Sequence, residues 1–111
     1  MADDDESERD RLLISAAWRD ATECISLAAS GTLIALIGMA ANAGKTAIAV
    51  SAANMAPHIR HEEDRAAFPA RFAELRLRGL VREVRPGVFE IAPGLWKVGR
   101  WNGEKDFFPY V

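Results

Sequence analysis

The chain of 111 residues has one cysteine, Cys24, and two histidines. A single thiol excludes an intramolecular disulfide and suits a reducing compartment, so a cytoplasmic location is expected. Two histidines and one cysteine leave few ligands for a structural metal. No Ser-His-Asp, Cys-His or paired-carboxylate arrangement with a recognisable spacing is present, so no enzyme, cofactor or metal centre is expected. There is no internal repeat. The start, MADDDESERD, has neither the basic nor the apolar character of a targeting peptide. Residues 1–8 read as a disordered, solvated acidic tail, and residues 9–111 as a single domain.

Charge is scarce in the middle of the chain: residues 31–59 carry only Lys45. The net charge of −2 is unevenly spread. Residues 1–30 hold three arginines against eight carboxylates, whereas residues 60–101 hold nine basic residues against six acidic ones. Half the residues are apolar, enough to bury a core.

Residues 8–29 read as one helix, with a broad stripe from Leu12, Leu13 and Ala16 to Leu27 and Ala28. Ser30-Gly31 is its expected end. Residues 32–43, TLIALIGMAANA, are a buried helix or a buried strand, and their Ala, Met and Leu favour helix. Residues 45–55 read as a short helix ended by Ala56-Pro57, and residues 58–67 as a polar linker or short charged helix.

Residues 68–92, FPARFAELRLRGLVREVRPGVFEIA, carry the clearest pattern. Phe68, Phe72 and Leu75 recur at helical spacing, Pro69 suits a first turn, and Gly79 is a helix stop. Two β-prone runs, Leu80–Arg85 and Val88–Ala92, are joined at Pro86-Gly87. Leu95–Trp101 is a candidate third strand, and DFFPYV an aromatic end that packs back on the domain.

Arg71, Glu74, Leu75, Arg76, Gly79, Leu80 and Val81 resemble the end of the recognition helix and the entry to the wing in winged helix-turn-helix regulators. The resemblance covers residues 64–92, about a quarter of the chain. It implies an α+β fold: a mostly helical winged helix-turn-helix with a C-terminal two- to three-stranded β-hairpin wing. Residues 45–55 and 65–78 would be its two helices. It also implies a small intracellular protein that binds double-stranded DNA, a transcriptional regulator or accessory factor. Arg65, Arg71, Arg78, Arg82 and Arg85 would then contact DNA, chiefly its phosphates.

The helical wheel supplies a different reading. Phe68, Phe72, Leu75 and Gly79 share one face, which leaves Ala70, Ala73, Glu74 and Leu77 opposite. That face has no donor fork for guanine and no amide for adenine. It suits a protein partner or a second copy, with Ala70, Ala73, Leu77, Trp96 and Trp101 as interface residues. The aromatics after the wing, interleaved with Lys97, Arg100 and Lys105, could stack single-stranded bases. Packing or dimerisation is the expected role.

Three further motifs have plainer readings. Gly44-Lys45-Thr46 ends like a phosphate-binding loop, but the first glycine such a loop needs falls on Met39. Two Ala-rich core helices parted at Gly44 are expected instead. Residues 24–44 are uncharged and long enough to span a bilayer, but Ser, Thr, Gly and Asn dilute them, and a core position is expected, not a membrane one. His58 and His61 lie near carboxylates at a spacing that could hold zinc; without a third strong ligand they read as solvated.

Overall fold

The computed structural model describes residues 10–110. The acidic tail expected at 1–8 lies outside them. The described chain is α+β, with four α-helices and two small antiparallel sheets. The described residues resolve into two compact units, 24–93 and the two ends, 10–23 with 94–110.

In the unit made by the ends, strand β1 (Arg11–Ser15) is followed by a short helix, α1 (Trp18–Thr22). This replaces the single helix expected over 8–29. Leu12, Leu13 and Ile14 are a β-prone triplet whose apolar side chains do not fall on one helical face. Their pairing partners lie some 80 residues away, where local periodicity has no view of them. β1 is the central strand between β5 (Trp96–Gly99) and β6 (Phe107–Pro109), and Leu13 is fully buried. The strand expected at 95–101 therefore forms, but it belongs to this sheet and not to the hairpin of residues 81–91.

The other unit begins with α2 (Leu27–Ala43). Ser26 caps it, its Oγ accepting from the Ala29 amide at 3.1 Å. The helix expected over 32–43 is real, but it starts earlier and runs through Ser30-Gly31, the expected terminator. Leu33, Leu36, Ile37 and Ala40 are buried and outweigh the weak propensity of one Gly. Gly44, at φ 67°, closes the helix in a left-handed turn that Cβ-bearing residues adopt at a cost.

Residues 45–55 are not one helix. They form β2 (Ala47–Ala49) and then α3 (Ala52–Met55), capped by Ser51. β2 exists because it pairs with a strand 40 residues later, a contact that Ala-rich local sequence does not announce. A 3-10 turn, Ala56–His58, follows.

Helix α4 (Glu62–Leu77) takes in most of the expected linker. Glu62, Glu63 and Asp64 in its first turn complement the helix dipole. Pro69 therefore sits inside the helix, not at its first turn, and removes one helical donor. Buried Phe68 and Leu75 hold the helix on either side of it. At the far end the Leu80 amide bonds the Leu75 carbonyl at 2.9 Å and the Gly79 amide that of Arg76 at 3.0 Å. Gly79, at φ 74°, is the left-handed residue of that closure. Strands β3 (Val81–Arg85) and β4 (Val88–Ile91) then form the expected hairpin about Pro86-Gly87. The sheet order is β2-β4-β3. Leu33, Leu36, Ile37, Met55, Leu75, Val81, Phe89 and Ile91 fill the core of this unit. Phe72 joins them, 5.5 Å from Phe68 in a stacked pair and 4.9 Å from Phe89 edge-on.

Candidate functional site

Two faces of α4 have different chemistry, and the core contacts decide which is which. Phe68 and Leu75 point inward, so Ala66, Pro69, Ala70, Ala73 and Leu77 point outward, and all five are exposed. Leu77 is 82% exposed and extends the apolar stripe that Ala66, Pro69, Ala70 and Ala73 make on this face. Ala70, Ala73 and Leu77 thus lie on the face the wheel assigns them. Ala66 and Pro69, which the sequence reading does not assign to it, extend that face.

Glu74 does not belong to that face. It is half-buried, and its carboxylate accepts from the Ser26 amide at 2.7 Å and the Ser26 hydroxyl at 3.0 Å. It therefore fastens the start of α2 to the last turn of α4. Nothing in the local sequence around either residue announces a bond spanning 48 positions.

The five arginines expected at DNA have unequal freedom. Arg65 donates to the Ile59 and Arg60 carbonyls at 2.9 and 3.2 Å and stiffens the turn that precedes α4. Arg71 is half-buried and pairs with Asp64 at 3.3 Å. Arg82 pairs across the hairpin with Glu90. Arg78, just past α4, and Arg85, beside the hairpin turn, are exposed with no side-chain partner among the described residues. Arg76 is also engaged, over the Phe89 ring at 5.1 Å and 3.5 Å from Glu83. Residues 24–93 carry eight cations against six carboxylates, a small net excess, and three of those cations are paired with carboxylates of the same unit.

Trp96 and Trp101 lie in the other unit and are half-buried. Trp96 stands on β5 opposite Ile14, and the Trp101 indole nitrogen is buried with no hydrogen-bond partner among the described residues. Beside them Lys97 reaches both Glu104, at 3.2 Å, and the Phe107 ring, at 4.4 Å.

The remaining motifs fall out simply. A phosphate-binding loop needs a strand before it and a helix after it. Gly44-Lys45-Thr46 has the reverse, α2 before and β2 after. The pair of Ala-rich helices expected there is thus a helix and a strand. His58 and His61 are exposed, and no cluster of three metal-ligating side chains occurs among the described residues. No helix among them is long and apolar enough to cross a membrane. Comparison with family models, with curated proteins and with solved structures finds no match to this chain.

Proposed function

We propose that residues 24–93 are a winged helix-turn-helix used as a non-enzymatic protein-interaction module, docking through the outward face of α4. Three features support the fold reading. The elements run helix, strand, helix, helix, strand, strand, and the first strand adds to the edge of the hairpin. Only residues 59–61 separate the 3-10 turn from α4, the short connection a helix-turn-helix uses. The resemblance at 64–92 falls on α4 and the hairpin.

The observation that carries the interaction reading is the composition of the exposed α4 face. Ala66, Pro69, Ala70, Ala73 and Leu77 offer apolar contact and no base-reading group. Glu62 and Glu63 at its N-terminal end would repel phosphate. A protein surface buries such a stripe favourably, at about 25 cal/mol per Å² of apolar area removed from water.

A second reading, duplex DNA binding, is favoured by one observation: Arg85 stands free beside the hairpin turn, where a wing meets phosphate, and Arg78 is free nearby in sequence. The two readings separate in a paired experiment on the full chain. A photo-crosslinking residue at Ala73 should capture protein in the producing cells, and Leu77→Asp should abolish capture while leaving the thermal melt unchanged. In parallel, a labelled mixed-sequence duplex should show no anisotropy change at low salt. Micromolar duplex binding with a log–log salt slope of several charges, weakened by Arg82→Ala with Arg85→Ala, would overturn the interaction reading in favour of DNA.

A further inference from the structure

On the side of α4 that turns away from the proposed docking face, a groove of about 500 Å³ runs between α2 and the N-terminal half of α4. Its volume lies within the roughly 300–1,000 Å³ typical of small-molecule sites. Ala28, Gly31 and Ala35 of α2 form one wall, and Met55 and Phe68 are among the apolar residues opposite. Around this apolar lining stand Arg60, Arg71, Asp64 and His58. Asp64 engages one nitrogen of the Arg71 guanidinium, which has further donors to offer. Arg60 is exposed and its side chain has no partner among the described residues. The rim thus carries a net positive charge above an apolar lining.

Gly31 lies on the α2 wall of the groove. It lies well inside α2, where glycine is less favourable than alanine by about 0.5–1 kcal/mol. A Cβ there would meet nothing within 4 Å. A side chain here would therefore leave α2 without a clash, and because Gly31 lines the groove a large one would fill it.

We propose that this groove binds a small amphipathic organic anion. The apolar body lies along Ala28, Gly31, Met55 and Phe68, and the anionic head accepts from Arg71 and Arg60. Bound there, it touches Asp64, Phe68 and Arg71 of α4, the helix whose opposite face is the proposed docking surface.

The test uses the full chain labelled with ¹⁵N and three probes sharing one tail: octanoate, 1-octanol and octylammonium. Octanoate should shift the Gly31, Thr32 and Ile59 amides saturably, and octanol should bind at least about tenfold more weakly, as loss of a charge-assisted hydrogen bond implies. Arg71→Gln should remove most of that preference. Gly31→Leu should fill the groove and abolish binding without lowering the melting temperature; Ala35→Phe on the same wall is the second blocking variant. The proposal is overturned if octanol or octylammonium matches octanoate, or if shifts fail to saturate. Full affinity retained in a blocking variant that still melts cooperatively overturns it too.

Discussion

Single residues decide several features on which the site depends. Gly79 is the left-handed residue between α4 and β3, and its φ of 74° disfavours any side chain. Gly79→Ala should lower unfolding stability by about 1–2 kcal/mol, read from the denaturant midpoint at unchanged slope. Glu74 acts at a distance. By accepting from the Ser26 amide and hydroxyl it satisfies groups at the start of α2, work usually done within one turn of sequence. Glu74→Ala should cost about 1 kcal/mol, a value appropriate to a half-exposed capping contact. Glu74→Gln should recover part of it, because a neutral amide oxygen still accepts. The arginines make the opposite point. Arg65, Arg71, Arg76 and Arg82 look alike in sequence, and only their partners show that they serve the structure. Surface pairs of this kind contribute about 0–1 kcal/mol each, so their interest lies in the charge they withdraw from the surface.

At the scale of elements, α4 is the organising piece. Its inward residues belong to the core and its outward ones to solvent, and two leucines two positions apart separate these roles. Leu75 is fully buried; Leu75→Ala should destabilise by about 2–5 kcal/mol. Leu77 is mostly exposed; Leu77→Asp should change stability by no more than about 0.5 kcal/mol in the same denaturation experiment. If both variants unfold alike, the face assigned to docking is wrong. Helix α2 illustrates a different balance. Its sequence is apolar on nearly every side, so periodicity alone does not say which residues are inside. Its end at Gly44 follows from a signal in the chain, whereas its start at Ser26 lies inside the run that reads as the preceding helix.

At the scale of the molecule, the chain ends meet in one sheet. β1 lies between β5 and β6, so it has no sheet partner other than strands from the C-terminal residues. Deleting residues 94–111 should therefore abolish slow amide exchange over Arg11–Ser15, while residues 24–93, with their own core, retain a cooperative melt. Hydrogen exchange and circular dichroism on the truncated chain check both halves. This non-local pairing also explains what was legible beforehand. Local chemistry within a few positions determined the α4–hairpin segment: core residues at helical spacing, a left-handed glycine, and Pro-Gly between two β-prone runs. Helix was likewise readable at 32–43, as was the apolar outer face of Ala70, Ala73 and Leu77. Strands β1 and β2 were not, because a strand is stabilised by the neighbour it bonds, and those neighbours lie some 80 and 40 residues away. The freedom of each arginine and the role of Glu74 were likewise settled only in three dimensions. A charge in a sequence has a sign, but its availability depends on which groups the fold brings within hydrogen-bonding distance.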